Sequence, residues 1–188
     1  MTGVVTALIP EQRAIPEFWL SPCYLKRAVA RMQDLIMTAS PGFPPLAGGG
    51  WLVDESVFRF LVDLEIHKAQ RLRYSVSFVC ITVESAATEN GERSPVSTAE
   101  AIARYLRSTD AVALWRQGWL AVLLVDAEPP HLPSIVERLT SRGEAGSWSA
   151  GGSSYPRTAA RAEDMLRQAE ELMAQARSEG GNRLYVAS

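Results

Sequence analysis

The sequence predicts an α+β domain in which one mostly antiparallel sheet is flanked by helices, preceded by an N-terminal helical extension. Three observations carry that expectation. Helical and strand periods interleave in the order helix, strand, helix, hairpin, helix, strand, helix, strand. A hairpin signature sits at the centre, where the apolar runs Ala111–Trp115 and Trp119–Val125 are separated by Arg116-Gln117-Gly118, and a central hairpin excludes a purely parallel, doubly wound sheet. The strongest amphipathic pattern, Ala160–Ser178, is stopped by Gly180-Gly181, as glycines stop helices by adopting the left-handed conformation.

From the first residue, Met1 to Pro16 has no sustained period and reads as an extended arm. Ser21-Pro22 is an N-cap followed by proline in the first turn, and the helix it announces runs to about Met37, with Leu25, Val29, Met32 and Ile36 on one stripe. That stripe suits docking on the chain's own domain or pairing with a second copy. Ser40 to Gly50 is rich in proline and glycine and reads as a linker, dividing the chain into residues 1–50 and a domain over 51–188. A helix follows from about Asp54 to Arg73, with Phe58, Leu61, Val62, Glu65 and Ala69 at helical spacing. Tyr74 to Glu84 alternates and is rich in β-branched and aromatic residues, which predicts a strand. Ser85 to Ser97 reads as loop and Ala99 to Arg107 as a short helix. After the hairpin come a helix over Pro133–Ser141, a strand of small residues over Ser147–Ser154, the Ala160–Ser178 helix and a last strand, Leu184–Val186. The sequence shows no internal repeat.

Composition narrows the function. Of 188 residues, 47 % are apolar and 21 % charged, which rules out wholesale disorder. Lysine and arginine number 19 against 21 acidic residues, so the basic excess of a phosphate-neutralising nucleic-acid binder is missing. Two cysteines, Cys23 and Cys80, cannot build a disulfide framework or a thiolate zinc site, and two histidines, His67 and His131, leave most histidine-based metal and triad chemistry short of parts. No apolar run reaches the roughly 20 residues of a membrane span, and the first residues lack the basic start of a secretory signal. The expectation is a soluble cytoplasmic protein without cofactor or resident metal. Cys80 alternates with apolar neighbours and reads as a buried hydrophobe, His67 as a solvated or half-buried helix residue, and His131 as loop.

Several strings, taken in order, resemble the GGDEF domain of bacterial diguanylate cyclases over about Trp51 to Val186. Met165 to Arg183 is similar to the family's closing LLRRADEALYRAKxxGRNR segment, Trp148 to Pro156 to its SxGxAxxP strand and turn, and Glu65 to Arg71 to its ExxRAxR helix. The resemblance implies the nucleotidyl-cyclase-like (ferredoxin-like) sheet. It also implies an ancestry in which two GTP molecules are joined by two-metal phosphoryl transfer, chemistry that needs carboxylates to hold Mg²⁺ and glycines that admit phosphate. Aligned in this way, the hairpin motif falls on Arg116-Gln117-Gly118-Trp119-Leu120, so both motif glycines and both acidic residues are replaced. The metal-holding aspartate falls on Thr82, with Glu84 two residues on and on the same strand face. The family's phosphate-contacting lysine falls on Arg177. The expectation is a domain that catalyses nothing.

One inherited feature stands in register. Arg107-Ser108-Thr109-Asp110 occupies the place of the family's Arg-x-x-Asp inhibitory site, which binds cyclic di-GMP, and Arg104 and Arg116 are candidates to supplement it. An arginine fork matches phosphate or the O6/N7 edge of guanine, and a carboxylate accepts from guanine N1 and N2. As a plain helix-end cation and a turn residue, Arg107 and Asp110 need no ligand. Two functions therefore stay open: a signalling module gated by cyclic di-GMP, and a nucleotide-independent scaffold or dimerisation domain holding an unidentified partner protein. Trp115 and Trp119 suit either a partner surface or the core.

Overall fold

The structure, a computed structural model, describes residues 49–84, 94–142 and 147–188. The N-terminal arm, the helix expected over Ser21–Met37 and most of the linker lie outside them.

The chain enters through β1 (Trp51–Val53), which pairs in parallel with Ala111–Ala113. A three-residue strand is too short to show a period, and the sequence reading passes over it. Helix α1 (Glu55–Leu72) starts at Asp54, whose side chain accepts from the Val57 N–H, and ends at Arg73 in the left-handed region at φ 59°. It turns Phe58, Val62, Glu65, Ile66 and Ala69 inward. Glu65 is buried there because Tyr74 Oη and Lys68 Nζ bond its two oxygens, at 2.6 and 2.5 Å.

Strand β2 (Val76–Glu84) is followed by α2 (Pro95–Ala103), capped by Ser94 with proline in its first turn. The helix therefore begins and ends about four residues before the Ala99–Arg107 expected from the apolar spacing, because the Ser94-Pro95 start signal outweighs the period. β3 (Ala111–Leu114) and β4 (Leu120–Val125) pair antiparallel, with Leu114 opposite Leu120, around a 3₁₀ turn at Arg116–Gly118. A second 3₁₀ turn, Pro129–His131, leads into α3 (Leu132–Arg142). β5 (Ser147–Tyr155), α4 (Ala162–Ser178) and β6 (Arg183–Val186) complete the order.

Among the described residues the sheet has six strands in the order β1-β3-β4-β2-β5-β6, antiparallel through the middle with a parallel partner at each edge. Helices cover both faces. On one, Phe58, Val62, Phe78, Trp115, Leu123, Met165 and Met173 pack between the sheet and α1 with α4. On the other, Ile81, Ile102, Val112, Val122, Leu132 and Leu139 pack between the sheet and α2 with α3. Each such side chain contributes about 1.5–3 kcal/mol of burial. Helix α4 comes so near β5 that a Cβ on Gly151 would lie 2.1 Å from the Ala169 carbonyl oxygen, which explains the small residues of that strand.

Candidate functional site

At one end of β3 stands the hairpin. Trp115 and Trp119 form its feet, joined by the bond from Trp115 N–H to the Trp119 carbonyl at 2.7 Å. Gly118 sits at φ 78°, a region that L side chains rarely adopt, so glycine is needed there for its backbone freedom. Trp115 is core, only 4 % exposed. Its ring lies 5.7 Å from Phe58 and 6.3 Å from Phe78, and its indole N–H donates to Glu170 Oε1 at 2.6 Å. The Arg59 guanidinium lies 4.4 Å above it, held by Glu55. Trp119 is half-buried against the same cluster. Both tryptophans thus fill the interior rather than forming a free aromatic patch.

The turn displays Arg116 and Gly118 to solvent, and residues 116–120 carry no carboxylate. Thr82, which the resemblance aligns with a metal-holding aspartate, is buried in register with Ser149, and Glu84 closes β2 opposite Ser147. Among the described residues no group of three or more His, Cys, Asp or Glu side chains is placed to hold a metal ion.

The other end of β3 carries the Arg107–Asp110 turn. Asp110 is buried, and its carboxylate is committed to the chain itself. Oδ2 accepts from the Arg107 N–H at 3.1 Å, while Oδ1 accepts from the Val125 N–H at 3.0 Å and from Thr109 Oγ1 at 3.4 Å. Burial holds the carboxyl above the ordinary aspartate range, against the opposing pull of the Val125 and Arg107 N–H groups. Asp110 is therefore a positioning residue that fixes the turn and the end of β4. The entering strand is fastened to the same turn, through Trp51 N–H to the Asp110 carbonyl at 2.9 Å and Trp51 Nε1 to the Ser108 carbonyl at 2.8 Å.

Around this turn the side chains of Arg104 and Arg107 are exposed. Helix α3 adds an arginine that the sequence reading did not include: the Arg142 guanidinium lies 5.6 Å from the Tyr105 ring. Arg138, one turn earlier on α3, is exposed as well. The four-residue spacing of Arg138 and Arg142 is a legible signal of a shared helix face, but the nearness of Arg142 to Tyr105, just past α2, is not. Arg116 does not supplement the site within one chain. The four residues of β3 intervene, and an extended strand of that length separates its ends by about 13 Å.

Arg177 stands on the exposed side of the last turn of α4. His67 is exposed, with Nδ1 2.7 Å from the Asp63 carbonyl oxygen, and His131 is exposed in its 3₁₀ turn. Cys80 is fully buried. A groove of about 370 Å³ between α1 and α4, lined in part by Arg59, Asp63, His67, Gln70, Arg161 and Glu163, contains none of the expected site residues. No helix among the described residues is long and apolar enough to cross a membrane.

No family model matches the sequence, and no curated protein matches it. The fold does have solved counterparts. The GGDEF domain of YfiN (TpbB) from Pseudomonas aeruginosa is similar at TM-score 0.63 and 19% identity, over 73% of this chain and 97% of that one. The coiled coil and GGDEF domain of DgcB from Caulobacter crescentus, in complex with c-di-GMP, is similar at TM-score 0.63 and 12% identity, over 91% and 97%. The diguanylate cyclase SiaD of Pseudomonas aeruginosa, in complex with its activator SiaC, is similar at TM-score 0.64 and 16% identity, over 88% and 70%. With its six-stranded mixed sheet and flanking helices, the described part of this chain has the GGDEF-like α+β fold.

Proposed function

We propose that this chain, built on a GGDEF-like fold, is a catalytically silent signalling module of the bacterial cytoplasm that binds cyclic di-GMP at the Arg107–Asp110 turn. The contrast between the two ends of β3 carries the reading. At the hairpin, Arg116, Gln117, Gly118, Trp119 and Leu120 offer no carboxylate for the divalent cations of a phosphoryl transfer. The root of the turn is closed by Trp115 and its bond to Glu170. At the opposite end, Tyr105 is 38 % exposed beneath the Arg142 guanidinium, and the exposed arginines Arg104 and Arg107 neighbour it along the chain. Guanidinium forks match phosphates and the guanine O6/N7 edge, and an aromatic face stacks on a base. In this reading Arg107 touches the ligand and Asp110 orients Arg107 through its backbone N–H. The similar DgcB structure contains c-di-GMP.

Calorimetric titration with cyclic di-GMP and with GTP tests the proposal. Loss of one nucleobase-directed arginine typically costs about 1–3 kcal/mol, so Arg107→Ala should weaken cyclic di-GMP binding at least about tenfold while Arg116→Ala leaves it unchanged. Equal heats from the parent and Arg107→Ala would remove the assigned site. GTP turnover with Mg²⁺ that disappears in Glu84→Ala would overturn catalytic silence.

The scaffold reading is favoured by one observation. Both Asp110 oxygens already accept from the chain, so the carboxylate is not presented to guanine N1 and N2. If cyclic di-GMP releases no heat at high micromolar concentration, this second reading is the better one.

A further inference from the structure

Helix α1 carries a second apolar flank that the core covers only in part: Leu61 packs against the core cluster yet is not buried by it. Val57, Leu61 and Leu64 are half-buried along one flank, while Phe60 is 37 % and Leu72 69 % exposed. At 100° per residue, Val57, Leu61, Leu64, Lys68 and Leu72 fall within an arc of about 80°. The arc lies away from the α4 side, where Asp63, Ile66, His67 and Gln70 line the groove. Apolar surface gathered along one helix flank marks an interaction surface.

We propose that this face pairs with the same face of a second copy of the chain, with the two α1 helices antiparallel about a two-fold axis between Leu61 and Leu64. The charges on the flank select both the occupant and the direction. Asp54 stands at its N-terminal end, Lys68 and Arg71 at its C-terminal end, and only apolar side chains lie between on the arc. Asp54 accepts from Ser56 Oγ and Val57 N–H through Oδ1 and is itself exposed. Arg71 has no ion pair among the described residues.

In the antiparallel register Leu61 faces Leu64, Val57 faces the aliphatic stem of Lys68, and Asp54 faces Arg71. The two-fold axis makes every one of these contacts twice. Asp54 and Arg71 are separated by about 25 Å along the helix, at 1.5 Å per residue. A parallel pairing would set Arg71 against Arg71 and Asp54 against Asp54, which like-charge repulsion disfavours. The face is thus complementary to itself in one direction only. This pairing is independent of the nucleotide reading and uses none of its residues.

Sedimentation velocity on the full chain across a concentration series tests the proposal. The parent should show a concentration-dependent dimer. Leu64→Glu places a carboxylate beside the axis twice over and should raise the dimer dissociation constant by about a hundredfold. Arg71→Glu, at an exposed position where folding is safe, should raise it by about tenfold by facing Asp54 with like charge. In a Cys23→Ser background, Leu61→Cys mixed with Leu64→Cys should cross-link between chains more readily than either variant alone. A parent that stays monomeric at every concentration would overturn the proposal. So would a dimer indifferent to both Leu64→Glu and Arg71→Glu, which would assign the contact to another surface.

Discussion

Asp110→Ala separates a positioning carboxylate from an ordinary turn residue. In the native chain Asp110 is 4 % exposed and accepts from two backbone N–H groups, those of Arg107 and Val125. Alanine leaves both donors without an acceptor, and each unsatisfied, partly buried donor costs about 1–3 kcal/mol. Relief of the desolvated charge offsets part of this, so the net loss should be about 2–4 kcal/mol. Asp110→Asn keeps one acceptor oxygen and removes the charge, and should lose about 1–2 kcal/mol. The sign of the pH dependence follows from the burial that raises the carboxyl above its ordinary value. Its contribution is present in full below the unfolded value and is lost as the pH rises through the folded one. The stability gap between the parent and Asp110→Asn should therefore widen in the parent's favour as the pH is lowered from 7 towards 4. Urea unfolding followed by far-UV circular dichroism, with the slope of the transition unchanged, measures all three quantities. Asp110→Ala falling within about 0.5 kcal/mol of the parent would refute the assigned role, since surface substitutions have effects of that size.

Two further substitution and labelling experiments address the core. Gly151→Ala should destabilise by about 3 kcal/mol or more, the upper end of overpacking, because the added Cβ would meet the Ala169 carbonyl oxygen at 2.1 Å and the Met173 nitrogen at 2.3 Å, both on the α4 backbone. Gly152→Ala meets side chains alone, Leu132 at 3.0 Å with Val186 and Leu184 at 3.7 and 3.8 Å, and should cost less in the same urea titration. Burial, with Glu170 adding to it, pushes the Cys80 thiol up to about 12. In a Cys23→Ser chain, a thiolate-selective reagent at pH 8 should therefore label Cys80 only after unfolding. The stability linked to that proton is present in full below the ordinary thiol value of 9 and is lost as the pH rises through about 12.

The hairpin and α4 show how far local signals reach. The pairing of Ala111–Leu114 with Leu120–Val125 follows from two apolar runs around a glycine-containing turn, and α4 from a regular apolar stripe ended by Gly180 and Gly181 at φ 102° and 72°. The start of α2 was legible too, as Ser94-Pro95, but the apolar spacing further on drew the expected boundary away from it. Trp115 could not be placed from sequence. Its burial rests on Phe58 from α1, Phe78 from β2 and Glu170 from α4, which come together only when the sheet closes. The Arg107–Asp110 turn was legible as a string, whereas the destination of its carboxylate was not, because Val125 lies at the end of the neighbouring strand.

The sequence by itself determined the element types, their order and the absence of carboxylates at the hairpin. These follow from hydrophobic period, turn chemistry and residue identity, each of which acts over a few neighbours. The tertiary structure alone decided that β1 pairs in parallel with β3, that Arg142 lies over Tyr105 while Arg116 stands at the far end of a strand, and that α1 keeps an apolar flank the core covers only in part. Those outcomes depend on contacts between residues far apart along the chain. Their closure entropy is repaid only when the whole sheet and its two helical layers form together.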